Sequence, residues 1–284
     1  FKDMKVLVDP SKGIESETVE LESPITIRQL FTHTAGFTHG LSGSAADRAY
    51  MQKIYFKQHE NIAESVDVMA QLPLFYQPGT KWVYSNSPDI LSALIEHFSG
   101  MTTAKFLEER LFKPLGMKDS GYNLSPEQQE RMVKLHTYNS DRKIILSPRQ
   151  TPTTGNKVFR GANALFSSAP DYMQFCKMIL NNGSLNGTQF LSKKTIEILS
   201  MDHANGLCPY DGLGFGLGFA VMTNVAESGQ LGSLGQLSWG GAYSTYFFID
   251  PKEELATMLF TQVSPYQLYY TNMMRQFVYQ AIID

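Results

Sequence analysis

The sequence predicts an α+β protein, with a mostly helical region followed by an antiparallel sheet that has helices against it. Two observations carry this expectation. Up to about residue 201 the apolar residues recur at helical spacing behind serine, threonine and proline start signals. From residue 206 the pattern changes to period two, in three apolar runs joined by short connections, which implies an antiparallel meander whose faces need covering. The expected division is a mostly helical domain over 14–205 and the C-terminal part of an α/β domain over 206–284.

The elements follow in order. In PITIRQLFTHTAG (24–36), Thr26 caps a short helix that turns Ile27, Leu30 and Phe31 inward and ends at Gly36. The signals in KWVYSNSPDILSALIEHFSG (81–100) are stronger. Ser87 can cap, Pro88 suits the first helical position, and Asp89 favours the positive end of the helix dipole; Ile90, Leu91, Leu94, Ile95 and Phe98 then repeat at helical spacing until Gly100. TTAKFLEERLFKPLGM (102–117) places Phe106, Leu107, Leu111 and Phe112 on one face and is broken by Pro114. SPEQQERMVKL (125–135) opens on Ser125 and Pro126, Ser167 and Ser168 cap the helix that begins near Pro170, and SKKTIEILSM (192–201) completes the helical portion.

In GLGFGLGFAVM (212–222) the glycines alternate strictly with Leu213, Phe215, Leu217 and Phe219. No helix follows, so it reads as a strand whose bare face admits a close neighbour, not as a nucleotide loop. WGGAYSTYFFID (239–250) and ELATMLFTQ (254–262) read as further strands around a turn at Pro251, Lys252 and Glu253. YQLYYTNMMRQFVYQAIID (266–284) closes the chain as an amphipathic helix.

With 43% hydrophobic and 18% charged residues and a formal net charge of −3, the composition is that of an ordinary globular chain and excludes disordered and fibrous classes. No apolar run is long enough for a membrane span, and no basic block marks a nucleic-acid partner. Cys176 and Cys208 make one disulfide formally possible and decide nothing about compartment. The six histidines form no H-E-x-x-H or Cys/His cluster, and His33 and His39 stand six apart across a glycine, so neither a metal nor a cofactor is expected. The opening FKDMKVLVDPSKG has no initiator methionine and no signal-peptide pattern, and reads as a chain entered part-way.

The polar loop Tyr84–Ser85–Asn86 lies just ahead of a helix start. Alone, this Y-x-N triplet is weak: Tyr84 could be a core aromatic and Asn86 a turn residue bonding to its own backbone. Its neighbours change that reading. ITIRQLFTHTAGF, PGTKWVYSN, FLEERLFKPLGMKDS, GANALFSSAPDYMQF and WGGAYSTYFFIDP, in this order, closely resemble the serine β-lactamase-like hydrolases, which include class C β-lactamases, D-alanyl-D-alanine carboxypeptidases and family VIII esterases. The resemblance covers nearly the whole chain. It implies a β-lactamase/transpeptidase-like fold, an antiparallel sheet flanked by helices plus a mostly helical domain.

That family uses three motifs: S-x-x-K with the nucleophile and its lysine, Y-x-N, and a strand motif written K-T-G or W-G-G. Tyr84–Asn86 matches the second and Trp239–Gly241 the third. The only S-x-x-K, Ser140–Lys143, falls after Y-x-N in a polar segment without an apolar helix, and reads as a solvated turn. No G-x-S-x-G elbow occurs. The resemblance therefore implies that the nucleophile helix precedes Phe1, on an N-terminal segment of the same protein or on a second polypeptide that completes the site. Ser85 and Thr102 are the remaining internal candidates, and a binding homologue without chemistry is the alternative from another class.

The resemblance also implies roles. Tyr84 is the acid–base partner of the serine, Asn86 offers an amide to substrate or lysine, and the Ala242 N–H is an oxyanion donor. Gly240 and Gly241 leave the strand edge open to substrate, and Trp239 is a pocket wall, with packing as the other reading. Trp239 stands where K-T-G members carry a lysine, so a small-molecule ester is favoured over an anionic peptide. A D-residue peptidase or a β-lactamase of the same family stays open if Arg160 or another cation supplies the missing charge. His33 reads as structural, at a helix end where an imidazole can bond to backbone.

Overall fold

Residues 1–283 are described by a computed structural model, in which they form two units. Phe1–Arg110 gather with Asn156–Leu165 and His203–Pro209, while the second unit holds Leu111–Gly155, Phe166–Asp202 and the chain from Tyr210 on. The units interleave along the chain, so no single cut at residue 205 separates them.

The first unit begins with a hairpin, β1 (Lys5–Leu7) and β2 (Thr18–Glu20), and continues as helices α1 (Ile27–Phe31), α2 (Ala45–Ile54), α3 (Ile62–Ala70), α4 (Ser87–Ser99) and α5 (Thr103–Leu107). Its core joins Val6, Leu30, Phe37, Tyr50, Ile54, Ile62, Met69, Leu74 and Ile90. Thr26 and Gln29 close α1 with a reciprocal capping box. Only Leu30 of the three expected inward residues is buried; Ile27 and Phe31 are 56% and 37% exposed. A helix of about one and a half turns aims one position at the core, not three. It also ends at Thr32 and not at Gly36, because His33 takes φ 55° and leaves the helical region.

Ser87 is the first residue of α4, not its cap. Asn86 occupies the boundary and makes no capping bond, because its side chain is turned to Tyr55, and the Ser87 hydroxyl pairs instead with Ser85 at 2.9 Å. Gly100, at φ 68°, ends the helix as expected, whereas Phe98 is exposed. Pro114 does not break the following helix. The path runs from α5 through a wider turn over Glu108–Phe112 into α6 (Lys113–Leu115), with proline in its first turn.

The second unit takes up α6, α7 (Pro126–Arg131), the hairpin β3 (His136–Tyr138) and β4 (Ile144–Leu146), α8 (Ala169–Leu180), the small hairpin β5 (Ser184–Leu185) and β6 (Thr188–Gln189), and α9 (Lys193–Leu199). Ser125, Ser168 and Ser192 cap α7, α8 and α9 through bonds to backbone N–H groups, while Ser167 pairs with Ser120 at 2.8 Å. Then come β7 (Leu213–Phe215), β8 (Ala220–Met222), α10 (Val225–Ser228), β9 (Leu237–Gly241), β10 (Thr245–Asp250), β11 (Leu255–Leu259) and α11 (Leu268–Gln280). The five strands pair in the order β11-β10-β9-β8-β7, all antiparallel, as a meander.

Two expected single strands are each a hairpin. Residues 212–222 turn back at Gly216–Phe219, and WGGAYSTYFFID folds at Ala242–Ser244, where Ser244 adopts φ 65°. The bare glycine face does admit a close neighbour: a Cβ on Gly214 would lie 2.4 Å from the Asp202 carboxyl carbon, just beyond α9. Successive residues of β10 face opposite sides of the sheet. Phe247 meets Tyr172 of α8 at 4.9 Å, and Phe248 stacks on Tyr279 of α11 at 5.4 Å, so a helix covers each face.

Candidate active site

The loop ahead of α4 is fastened to the segment after α1. Val83 N–H donates to the His33 carbonyl at 2.9 Å, Asn86 N–H to that of Thr38 at 3.2 Å, and Ser85 N–H to His33 Nδ1 at 3.2 Å. The left-handed turn at His33 lets one residue receive the loop with both backbone and ring. His33 is buried, and that burial, with His39 nearby, lowers its pKa to about 3, so the ring is a neutral acceptor. It bonds to backbone, as the sequence suggested.

Tyr84 is half-buried, with His33 and His39 at ring-centroid distances of 4.8 and 5.3 Å. The His39 ring lies within 14° of parallel to Tyr84, and on to Tyr55 the centroid distance is 5.4 Å at 28°. The Arg160 guanidinium lies over the Tyr55 ring, 4.8 Å from its centroid. Burial lowers the His39 pKa and raises that of Tyr55, keeping both uncharged.

Asn86 has no exposed surface. Its Oδ1 accepts from the Tyr55 hydroxyl at 2.6 Å, which in turn receives Asn163 Nδ2 at 3.3 Å and lies 3.2 Å from His39 Nε2. Three residues on, Asp89 is equally buried and accepts from Arg160 Nη1 at 2.7 Å and Ala162 N–H at 2.9 Å. Burial raises the Asp89 pKa while Arg160 opposes that rise. Arg160 also donates to Ser65 and to the Ile54 carbonyl, so this cation is committed inside the unit.

Of the other internal candidates, Ser85 is 1% exposed, its hydroxyl between Ser87 Oγ at 2.9 Å and His33 Nδ1 at 3.2 Å. Thr102 caps α5 through Lys105 N–H. Ser140–Lys143 form the exposed β3–β4 turn, with Asn139 Oδ1 accepting from the N–H groups of Asp141 and Lys143.

The third motif belongs to the second unit. β9 pairs with β8 at Leu237 and Ser238 and with β10 from Leu237 to Gly241. Trp239 is half-buried, edge-on to Phe215 at 5.1 Å, and Ala242 is exposed at the hairpin tip. Thus Tyr84 and Asn86 share a loop of the first unit, and Trp239, Gly240, Gly241 and Ala242 lie together in the second. Sequence reasoning missed His39 and Tyr55 as neighbours of the triplet. His39 carried a faint signal, as a second histidine just after THTAG, whereas Tyr55 carried none. Among the described residues, no group of three or more His, Cys, Asp or Glu side chains is disposed to hold a metal ion.

The chain belongs to the Beta-lactamase family, whose profile matches residues 14–272. Protein Rv1367c of Mycobacterium tuberculosis is 29% identical over 276 residues, which are 91% of this chain and 67% of that protein. Esterase EstB of Burkholderia gladioli is 26% identical over 264 residues, covering 86% of this chain and 66% of the esterase. Among solved structures, EstCE1, described as a hydrolase with promiscuous acyltransferase activity, superposes with a TM-score of 0.77 at 21% identity, covering 95% of this chain and 75% of that one. These likenesses establish a β-lactamase/transpeptidase-like α+β fold, and the chain spans about two thirds of the length of the curated relatives it matches. No helix among the described residues is long and apolar enough to cross a membrane.

Proposed function

We propose that this chain carries part of the active site of a serine hydrolase that forms an acyl-enzyme on small ester substrates, with Tyr84 as acid–base partner of a serine outside residues 1–284. The observation that carries this reading is the contrast inside the Y-x-N loop. Tyr84 keeps exposed surface, while the one hydroxyl beside it that could act as nucleophile, Ser85, is buried. Family membership, and relatives named as an esterase and as a hydrolase with acyltransferase activity, support the reaction class.

In this mechanism the serine oxygen attacks the ester carbonyl and its proton reaches the departing alkoxide by way of the Tyr84 oxygen. A phenol titrates near pH 10 when unperturbed, so a cation supplied with the serine, the lysine of S-x-x-K, holds the transient phenolate. The Ala242 N–H and the serine's own N–H take the oxyanion, and water, deprotonated through the same Tyr84 oxygen, then releases the acid.

Trp239 in place of a lysine favours neutral acyl groups. Arg160, one cation that could have stood in for that lysine, is engaged by Asp89 and points the same way. In the full-length protein, Tyr84→Phe should lower kcat/KM on p-nitrophenyl acetate by about 10²–10⁴-fold. Retention of full activity by that variant would remove Tyr84 from the chemistry.

A further inference from the structure

Tyr84 and Asn86 are held by one shared set of side chains. His39 stacks on the Tyr84 ring, at 5.3 Å and 14°, and on the Tyr55 ring, at 5.4 Å and 28°. The Tyr55 hydroxyl, 3.2 Å from His39 Nε2, ends on Asn86 Oδ1 at 2.6 Å. Arg160 lies over the Tyr55 ring and is itself anchored by Asp89 and the Ile54 carbonyl. The stack therefore links a buried ion pair, through two rings, to the half-buried Tyr84 ring.

We infer that His39 is a positioning residue for Tyr84, fixing the plane of the phenol by stacking and coupling it through Tyr55 to the Asn86 amide. The inference rests on the reading of Tyr84 as an acid–base group. Alternation of aromatic and imidazole rings suits the task. A flat ring stacked on its face cannot tilt without separating the stack, and proton transfer falls steeply with misplacement of about an ångström. His33 touches the same ring but at 49°, so it limits the phenol's position without setting its plane. The half-buried, uncharged His39 imidazole adds no charge to the phenol.

In the same geometry Asn86 is no substrate ligand. It is wholly buried and its oxygen is taken by Tyr55. The amide holds the loop that presents Tyr84.

The test is a double-mutant cycle in the full-length protein on p-nitrophenyl acetate, with folding checked by thermal melts. His39→Ala should lower kcat about ten- to a hundredfold with KM changed less than about twofold, the signature of a misplaced catalytic group. His39→Phe, which restores a stacking ring and no nitrogen, should recover most of that loss. In a Tyr84→Phe background His39→Ala should cost nothing further. Equal losses in both backgrounds, a raised KM at unchanged kcat, or a His39→Phe variant as impaired as His39→Ala would each overturn the inference while leaving Tyr84's role intact. An inactive Tyr84→Phe upholds that role, whereas a fully active one refutes it whatever His39 does. A readout without turnover comes from 3-fluorotyrosine at position 84. Its ¹⁹F resonance should move in His39→Ala and return in His39→Phe; an unmoved resonance overturns the stack's role.

Discussion

Asp89 accepts a hydrogen bond on each carboxylate oxygen, from Arg160 Nη1 at 2.7 Å and from Ala162 N–H at 2.9 Å, and so ties the first turn of α4 to the 156–165 segment. The pair is buried on both sides. Removing one partner strands a charge in the interior, which costs far more than the pair contributes. Asp89→Asn should therefore lose about 3–5 kcal/mol in urea unfolding at unchanged m. A loss below about 1 kcal/mol would mean that water reaches Arg160.

Ser85→Ala separates the two possible sources of the nucleophile. The hydroxyl is buried between Ser87 and His33, so its loss should cost about 1 kcal/mol of stability and leave ester hydrolysis by the full-length protein within about threefold. Loss of activity in a folded variant would make Ser85 the nucleophile.

Stability should fall in acid through His33. Its pKa is lowered from 6.5 to about 3 by burial, so between those values the unfolded chain binds a proton that the folded one does not. The contribution is complete above pH 6.5 and is lost as pH falls, by about 1.4 kcal/mol per unit down to pH 3. His39, lowered in the same direction, adds to the slope. His33→Asn keeps an acceptor for Ser85 N–H and tolerates the left-handed backbone. It should flatten the pH dependence of urea midpoints by about one proton's worth, and an unchanged slope would contradict the assignment.

Gly161 lets the 156–165 segment lie against α4. A Cβ there would fall 2.1 Å from the Pro88 carbonyl oxygen and 2.7 Å from Ser92 Oγ. Gly161→Ala should lower stability by about 1–3 kcal/mol or more, measured as a shift in Tm. An unchanged Tm would show that the segment can lift away without cost.

Much of this was legible because it is local. The caps at Thr26 and Ser125, the stop at Gly100, the meander and the solvated turn at Ser140 are written in short-range residue choices. Other features depend on partners far along the chain. Asn86 fails to cap α4 because Tyr55, 31 residues earlier, takes its oxygen. Ile27 and Phe31 read as core because periodicity identifies a face without saying how much of it a short helix buries. The glycine-rich run 212–222 turns at Gly216–Phe219, where strict alternation hides the hairpin. Tyr84 stood out through its motif, but the His39–Tyr55 stack behind it is a tertiary arrangement that no spacing announces.

The most direct measurement is fluorophosphonate labelling of the full-length protein, followed by mapping of the adduct and comparison of labelling rates with Tyr84→Phe. The account predicts an adduct on a serine outside these 284 residues, formed more slowly by at least about a hundredfold when the phenol hydroxyl is removed. An adduct on Ser85 or another serine within the chain, or a labelling rate indifferent to Tyr84→Phe, would contradict it.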